Sequence, residues 1–171
     1  AKNAKKEVKI HTPYIICNDY MYKELKNIKV PTTIMTNSAE NNGNIFGAVD
    51  YLNHKKDIIN TGVTIKEYEG GISYHGKSMT IDDDIAIVGS FNMDMRSAYI
   101  DTELMLVINS KDINKQLKAS MEEYEKKAAT VKNETEYSHI PEGMKMKELS
   151  DKKKNIKAWF GWAMNGLRFL F

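Results

Sequence analysis

The sequence predicts an α/β domain in which helices flank a layered, mixed β-sheet, followed by a helical C-terminal tail. Short apolar runs bounded by turn residues alternate with stretches of helix-forming composition in the first half of the chain. Two later apolar runs are separated by Asp83 and Asp84, which predicts a tight turn between antiparallel strands. The 42% hydrophobic and 28% charged residues are ordinary for one globular domain.

Residues 1–129 are expected to form this domain. The apolar runs predict strands at residues 8–14, 30–36, 63–68, 77–82, 85–89 and 103–108. Composition predicts helices at residues 19–28 and 45–60, the second with a partly apolar face formed by Ile45, Val49, Leu52 and Ile59. Ser110 or Asp112 can cap a third helix, whose apolar residues recur at helical spacing at Ile113, Leu117, Met121 and Tyr124.

The chain after residue 129 is expected to contain a loop and a helical tail. Residues 130–143 are polar and include Pro141, which predicts a long loop. Residues 144–171 are predicted to be helical, in two pieces that divide after Ser150. The tail has an apolar stripe made of Ile156, Trp159, Phe160, Ala163, Leu167, Leu170 and Phe171. Basic residues flank the stripe at Lys152, Lys153, Lys154, Lys157 and Arg168. Such a helix either lies in a membrane interface or packs against protein, and both interpretations stay open.

Charge and cysteine content exclude little. The 25 basic and 23 acidic side chains are too nearly balanced to indicate a nucleic-acid or acidic-lipid partner. Cys17 is the one cysteine, so the chain has no internal disulfide. No run approaches the roughly 20 apolar residues that span a bilayer. Because residues 1–7 resemble the last turn of a helix that leads straight into a strand, the chain is expected to be part of a longer protein.

The residues that indicate chemistry lie between His75 and Asn92. Side chains two apart on a strand point to the same side, so His75 and Lys77 are expected to face one point. The following turn returns the next strand alongside, which brings Ser90 and Asn92 to that point after Gly89. Gly89 is expected to let the backbone approach a ligand. Imidazole, ammonium, hydroxyl and amide groups around one spot are suited to substitution at a phosphoryl group.

A carboxylate precedes an apolar strand further along the chain. Glu103 is followed by the almost entirely apolar residues 104–108, so its charge needs a partner. We expect that partner to be a ring nitrogen of His75, because a carboxylate acceptor fixes the tautomer and leaves the other nitrogen free to attack.

The spacing H-x-K-(x)4-D-(x)6-G-S-x-N resembles the defining motif of the phospholipase D superfamily. Its six fixed residues are all present, as His75, Lys77, Asp82, Gly89, Ser90 and Asn92. Residues 92–97 and Glu103 resemble the cardiolipin synthase and phosphatidylserine synthase branch, as does the early segment 12–14. Two positions depart from that branch: Gly76 stands where alanine is common, and Asp101 stands where asparagine is common, which leaves a secondary polar contact in doubt.

The resemblance implies a phospholipase D-like fold and a ping-pong reaction on a phosphodiester. One histidine attacks phosphorus to form a phosphohistidine, and a histidine of a second motif protonates the leaving alcohol. Lys77, Ser90 and Asn92 would stabilise the phosphate charge together with Gly89, so no metal or other cofactor is expected. Asp82 belongs to the catalytic motif but is expected to support loop geometry. Arg96 either contacts the headgroup or pairs with Asp94 or Glu103.

Only one complete motif is present where two are required. His54 begins a second H-x-K, but Thr61 stands in the position of the aspartate, so His54 is interpreted as a solvated surface residue. His11 and His139 lack a motif and are interpreted as structural. The second motif is expected either in an absent N-terminal half or in an identical partner chain.

The expected activity is phosphatidyl transfer of the cardiolipin synthase type, with a phospholipid substrate and peripheral membrane contact in the full-length protein. The chain alone is expected to be inactive or nearly so. The alternatives are a homodimeric phosphodiesterase or nuclease, and a non-catalytic domain that binds lipid or a partner. Nucleic acid is not expected as a partner, because no basic patch interleaved with aromatic residues surrounds His75.

Overall fold

The structure, a computed structural model, describes residues 1–160, Gly166 and Arg168. The strands of this part are β1 (Val8–His11), β2 (Ile15–Ile16), β3 (Thr32–Asn37), β4 (Thr64–Tyr68), β5 (Ser78–Ile81), β6 (Ile85–Gly89), β7 (Met93–Asp94), β8 (Met105–Asn109), β9 (Ala128–Val131) and β10 (Tyr137–His139). The helices are α1 (Asp19–Lys26), α2 (Ile45–Ile59), α3 (Met95–Tyr99), α4 (Lys111–Glu125) and α5 (Asp151–Phe160).

Eight strands form one mixed sheet in the order β10-β9-β4-β3-β1-β5-β6-β8. Strands β1, β3 and β4 are parallel neighbours, and the remaining pairs of this sheet are antiparallel. Strands β2 and β7 form a separate short parallel pair. The predicted mixed α/β class is therefore confirmed, and the turn after β5 does join antiparallel strands.

Helices cover both faces of the sheet. On one face, Val8 and Ile10 of β1 pack with side chains of α1 and α2 in the main core. The alternate residues of β1 point to the other face, where His11 bonds to Glu125 of α4. Helices α1, α2 and α4 each begin at a side-chain cap, provided by Asn18, Asn44 and Ser110. Ser110 is thus the cap of the third predicted helix, and Asp112 lies in its first turn.

The C-terminal third differs from the prediction in two places. The expected loop at residues 130–143 contains part of β9 and all of β10, which form an antiparallel hairpin. Strand β9 also pairs with β4, and this pairing satisfies backbone groups in a segment whose polar composition predicted a loop. Residues 144–150 have no regular structure, so the helix predicted there is wrong; helix α5 begins at Asp151. The prediction for residues 161–171 lies outside the described residues, apart from Gly166 and Arg168.

Two basic residues of the tail bind the domain. The Nζ of Lys153 donates to the backbone oxygens of Ala39, Glu40 and Asn42 at 2.8, 2.5 and 3.0 Å. Arg168 forms a paired contact with the buried Asp50 at 2.7 and 3.1 Å. These contacts favour packing of this part of the tail on the domain. Trp159, by contrast, is 83% exposed. Within the described ranges, no helix is long and apolar enough to cross a membrane.

Candidate active site

His75 and Lys77 lie just before β5, on the segment that connects β4 to β5. The Nζ of Lys77 is 2.9 Å from Nδ1 of His75 and also donates to the His75 carbonyl oxygen at 2.9 Å. The two side chains therefore meet as predicted, although the strand itself begins only at Ser78. His75 is exposed and Lys77 is half-buried.

The pKa values of His75 and Lys77 are both lowered. Partial burial lowers the pKa of His75 below its ordinary value of 6.5, and the adjacent Lys77 charge lowers it further. Burial also lowers the pKa of Lys77, against the opposing influence of Glu103 and Asp94. A neutral imidazole has a free electron pair, so His75 is suited to nucleophilic attack near neutral pH.

The β5–β6 hairpin brings the second half of the motif to the same place. Ser78 pairs with Val88, and the Gly89 N–H donates to the Lys77 carbonyl at 3.2 Å. Ser90 therefore follows directly beside Lys77 at the hairpin end. A Cβ at Gly89 would collide with the Leu104 carbonyl oxygen, just before β8, and with Met105, the first residue of β8. Glycine is thus required here by the neighbouring strand, whereas the sequence suggested close approach of a ligand.

Asn92 presents an unpaired acceptor. Its backbone N–H donates to the Ser97 hydroxyl at 3.2 Å. Its Oδ1 is buried and has no hydrogen-bond partner within the described residues. Such an atom costs about 1–3 kcal/mol of desolvation, and the carboxamide that carries it can also donate to a phosphate oxygen.

Glu103 binds hydroxyl groups instead of His75. Its carboxylate accepts hydrogen bonds from Ser90 Oγ and, at 2.6 Å, from Ser97 Oγ. These bonds lower the pKa of Glu103. The expectation of a Glu103–His75 bond is therefore wrong for this structure, because the β6–β8 register puts Ser90 next to Glu103 first. The carboxylate orients a hydroxyl of the motif and not its imidazole.

Asp82 lies at the opposite end of β5 from His75. Its carboxylate accepts hydrogen bonds from the backbone N–H groups of Lys5, Lys6 and Glu7 at distances between 2.7 and 3.2 Å. These bonds lower the pKa of Asp82. Its φ of 53° places it in the left-handed region at the turn. The structure gives Asp82 the supporting position expected of it and does not bring it to the catalytic group.

Arg96 pairs with the residue that departs from the family pattern. Its Nε lies 3.0 Å from both carboxylate oxygens of Asp101, so the expected alternatives Asp94 and Glu103 are not its ion-pair partners. Asp94 instead caps α3 by accepting from the Ser97 N–H at 2.5 Å. Asp101, which departs from the family pattern, therefore forms an exposed ion pair with Arg96.

The other histidines lie apart from the motif. His11 is 1% exposed and bonds Glu125 at 3.2 Å, which agrees with a structural function. His54 is not solvated as expected: its side chain is 17% exposed, and Asp50 raises its pKa. His139 is exposed on β10. In the part of the chain that the structure describes, no group of three or more His, Cys, Asp or Glu side chains could hold a metal ion.

His75 separates two cavities that the sequence did not predict. A cavity of about 710 Å³ extends from His75 and Lys77 beneath α4, and its walls include Tyr68, Tyr74 and Tyr124. A second cavity of about 370 Å³ on another side of His75 is lined by polar residues of the 42–44 loop. Tyr74 could have been suspected because it directly precedes His75. Tyr124 and the 42–44 loop are distant from His75 in sequence and carry no local signal.

Comparison with known proteins identifies the family of the chain. The family model described as "Cardiolipin synthase, PLD-like domain" matches residues 1–124. Cardiolipin synthase 1 of Staphylococcus epidermidis is 30% identical over 149 residues, which are 85% of this chain and 30% of that protein. The chain thus spans less than a third of the length of this relative.

Two solved structures have a similar fold. Phosphatidylserine synthase of Haemophilus influenzae superposes with a TM-score of 0.70 and 16% identity, over 99% of this chain and 42% of that one. The phospholipase D family member Nuc of Salmonella typhimurium gives a TM-score of 0.62 and 18% identity, over 76% of this chain and 84% of that one. At these identities the likeness concerns the fold alone. Because the family model covers most of the chain, the protein belongs to the cardiolipin synthase group of phospholipase D-like domains.

Proposed function

We propose that this domain provides one half of the active site of a phosphatidyltransferase, in which His75 forms a covalent bond to the phosphorus of a phospholipid. The observation that carries the proposal is the meeting of His75 and Lys77, 2.9 Å apart, at the hairpin end where Ser90 emerges. A neutral imidazole beside a cation and a hydroxyl is suited to attack on a phosphodiester.

The reaction proceeds in two substitutions. A ring nitrogen of His75 attacks phosphorus, the bond from phosphorus to the leaving alcohol breaks, and a second histidine gives that oxygen a proton. A new alcohol then attacks the phosphohistidine, the nitrogen–phosphorus bond breaks, and the same second histidine takes the proton of the incoming hydroxyl. One phosphodiester and one alcohol are thereby exchanged for another pair, and water in place of the alcohol would give hydrolysis.

The remaining motif residues stabilise charge. Lys77 binds the phosphate oxygens, and the Asn92 carboxamide adds a donor beside it. The single hydroxyl proton of Ser90 is donated to Glu103 in this structure, so Ser90 binds a phosphate oxygen when the substrate replaces that acceptor. Glu103 positions Ser90 through their hydrogen bond. Gly89 keeps the two strands close enough for this arrangement. A contact between Arg96 and the headgroup stays a prediction, compatible with its exposed position at Asp101.

The second histidine must come from another phospholipase D-like half. Strand β8 is the edge strand of the sheet and pairs with β6, which leads to Ser90. Three large apolar residues are exposed on or just before β8, and this supports an interface there. Leu104, Leu106 and Val107 are 79%, 58% and 61% exposed. Large apolar side chains exposed along one sheet edge are typical of an interaction site. We propose that the second half packs near this edge, in the same chain or in a partner chain.

A phosphoenzyme assay tests the proposed function. The whole protein is mixed with phosphatidylglycerol labelled in its phosphate, quenched, and digested for mass spectrometry. A phosphatidyl group bonded through phosphorus to His75 is the expected result, and the His75→Ala variant is the control that should carry none. Turnover that survives in His75→Ala would contradict the assignment. Binding of vesicles without any turnover in the wild type would favour a non-catalytic domain.

A homodimeric phosphodiesterase is the second candidate. The match covers 84% of the Nuc chain, so a chain of about this size is nearly the whole of one phospholipase D family member. This coverage favours the second candidate. Comparison of phosphatidylglycerol with a diester such as bis-p-nitrophenyl phosphate separates the two candidates. Turnover by a dimer of this chain alone would favour the phosphodiesterase.

Membrane contact is proposed for the exposed side of α5. Trp159 is exposed there, together with Lys152 and Lys157, whereas Lys153 is engaged with the domain. An aromatic residue among lysines can bind an interface that contains anionic lipid. Trp159→Ala should reduce co-sedimentation with phosphatidylglycerol vesicles, and equal binding would contradict membrane contact by this helix.

A further inference from the structure

The segment that carries His75 has no neighbouring strand to hold it. Strands β4 and β5 are separated in the sheet by β3 and β1. Residues 69–77 therefore cross the ends of two strands, and they have no regular secondary structure. Backbone groups in such a crossing still require hydrogen-bond partners. What supplies those partners decides where the imidazole of His75 lies.

Asn37, the last residue of β3, supplies them from its side chain. It is 1% exposed. Its Oδ1 accepts from the Tyr74 N–H at 2.7 Å, and its Nδ2 donates to the Tyr74 carbonyl at 2.9 Å. Nδ2 also donates to the Pro13 carbonyl at 2.8 Å. One carboxamide thus satisfies both backbone groups of the residue before His75, as a paired strand would do.

The surroundings hold this carboxamide and Tyr74 in place. Asn41 donates to Oδ1 of Asn37 at 3.1 Å and to the Ile72 carbonyl at 3.2 Å. The Tyr74 ring packs edge-on against His11 at 5.6 Å and against Tyr124 at 4.9 Å between ring centres. Tyr74 is therefore fixed both at its backbone and at its ring.

We infer that Asn37 is the positioning residue for His75 in the reaction proposed above. The Tyr74 carbonyl belongs to the same planar peptide unit as the His75 nitrogen. Holding that carbonyl therefore fixes the plane from which the His75 side chain projects. Asn37 touches neither substrate nor phosphate and acts through this plane. Since a displacement of about 1 Å can slow a reaction roughly 100-fold, the orientation has kinetic consequences.

Asn37→Asp is the sharpest variant. It keeps the shape and the acceptor for the Tyr74 N–H, but it places a carboxylate oxygen against the carbonyls of Tyr74 and Pro13. We expect kcat of the whole protein to fall about 10- to 100-fold, with KM for phosphatidylglycerol nearly unchanged and slower transfer of the phosphatidyl group to His75. A purely structural function would lower stability and leave kcat intact.

Asn114→Asp is the matched control. Asn114 is also 1% exposed and also donates to a backbone carbonyl, that of Ile85 at 2.7 Å, away from His75. Its variant should lose stability without loss of kcat well below its Tm. Equal kcat in Asn37→Asp and wild type would overturn the positioning function. If His75→Ala keeps full turnover, the proposed reaction fails instead.

Hydrogen exchange tests the same contact without a variant. The Tyr74 amide should be protected to the degree of the β3 amides, although it lies outside every strand. Fast exchange of this amide in the wild-type protein would overturn the proposal even if Asn37→Asp does not fold.

Discussion

The two ends of the β5–β6 hairpin contain residues of the same motif but serve different purposes. At one end, His75 and Lys77 line the larger cavity and have lowered pKa values, and Ser90 is exposed beside them. At the other end, Asp82 gathers the backbone N–H groups of residues 5–7. A motif aligned in sequence is therefore not one site in space. The far end of the hairpin binds the residues just before β1, and β1 pairs with β5.

The largest effect should come from His75 at the catalytic end. His75→Ala removes the attacking nitrogen, so kcat of the whole protein should fall by about 10⁴-fold or more. Because the side chain is exposed, Tm should stay close to that of the wild type. Steady-state transfer of phosphatidyl groups and thermal unfolding are the measurements. A large loss of Tm would assign His75 to the scaffold, and the two hairpin ends would then not differ in function.

Lys77 should affect both rate and pH dependence. The pKa of His75 is lowered by burial and by Lys77, so the neutral nucleophile persists below pH 6.5 and activity should fall only as the pH drops through that lowered pKa. Lys77→Met should lower kcat about 10²- to 10³-fold through lost charge stabilisation. It should also move the acid limb upward, towards 6.5. If activity falls at the same pH in Lys77→Met and in the wild type, the charge of Lys77 does not lower the pKa of His75.

The exposed edge next to the catalytic end should matter for assembly. Leu106→Glu puts a charge on the proposed interface, and we expect about a tenfold loss of kcat/KM in the whole protein through weaker packing of the second half, roughly the cost of 1.4 kcal/mol. Ile140→Glu is the control, because Ile140 is also exposed but lies beyond β10 at the opposite edge. Equal losses in both variants would argue against an interface at β8.

Asp82 should have the smallest effect on catalysis. Asp82→Ala frees three backbone N–H groups and should lower Tm, while kcat measured well below Tm stays near the wild-type value. The lowered pKa of Asp82 means that its contribution is present above the ordinary value of 3.8 and is lost as pH falls through the lowered pKa. The variant should therefore lose less stability than the wild type on acidification through that range. A proportional loss of kcat would place Asp82 in the chemistry.

Much of the framework could be predicted from local patterns. The hairpin turn, the cap at Ser110 and the cores of β3, β5 and β6 follow from the spacing of apolar and capping residues, and the structure confirms them. The proximity of the His75 and Lys77 side chains also follows, because these residues are only two positions apart in the chain. The β9–β10 hairpin could not be found in this way, since β9 is stabilised by pairing with β4 and β10 by pairing with β9.

Local patterns in the sequence predicted most elements of residues 1–129, the family and the residues of the proposed phosphate site. The hydrogen-bond partner of each of those residues is set by tertiary packing. Glu103 binds Ser90 instead of His75, and Gly89 is demanded by β8. Asn37 holds the peptide before His75 from 37 positions away. Periodicity and motifs report on neighbours along the chain, whereas hydrogen-bond partners depend on distances between segments that only packing brings together.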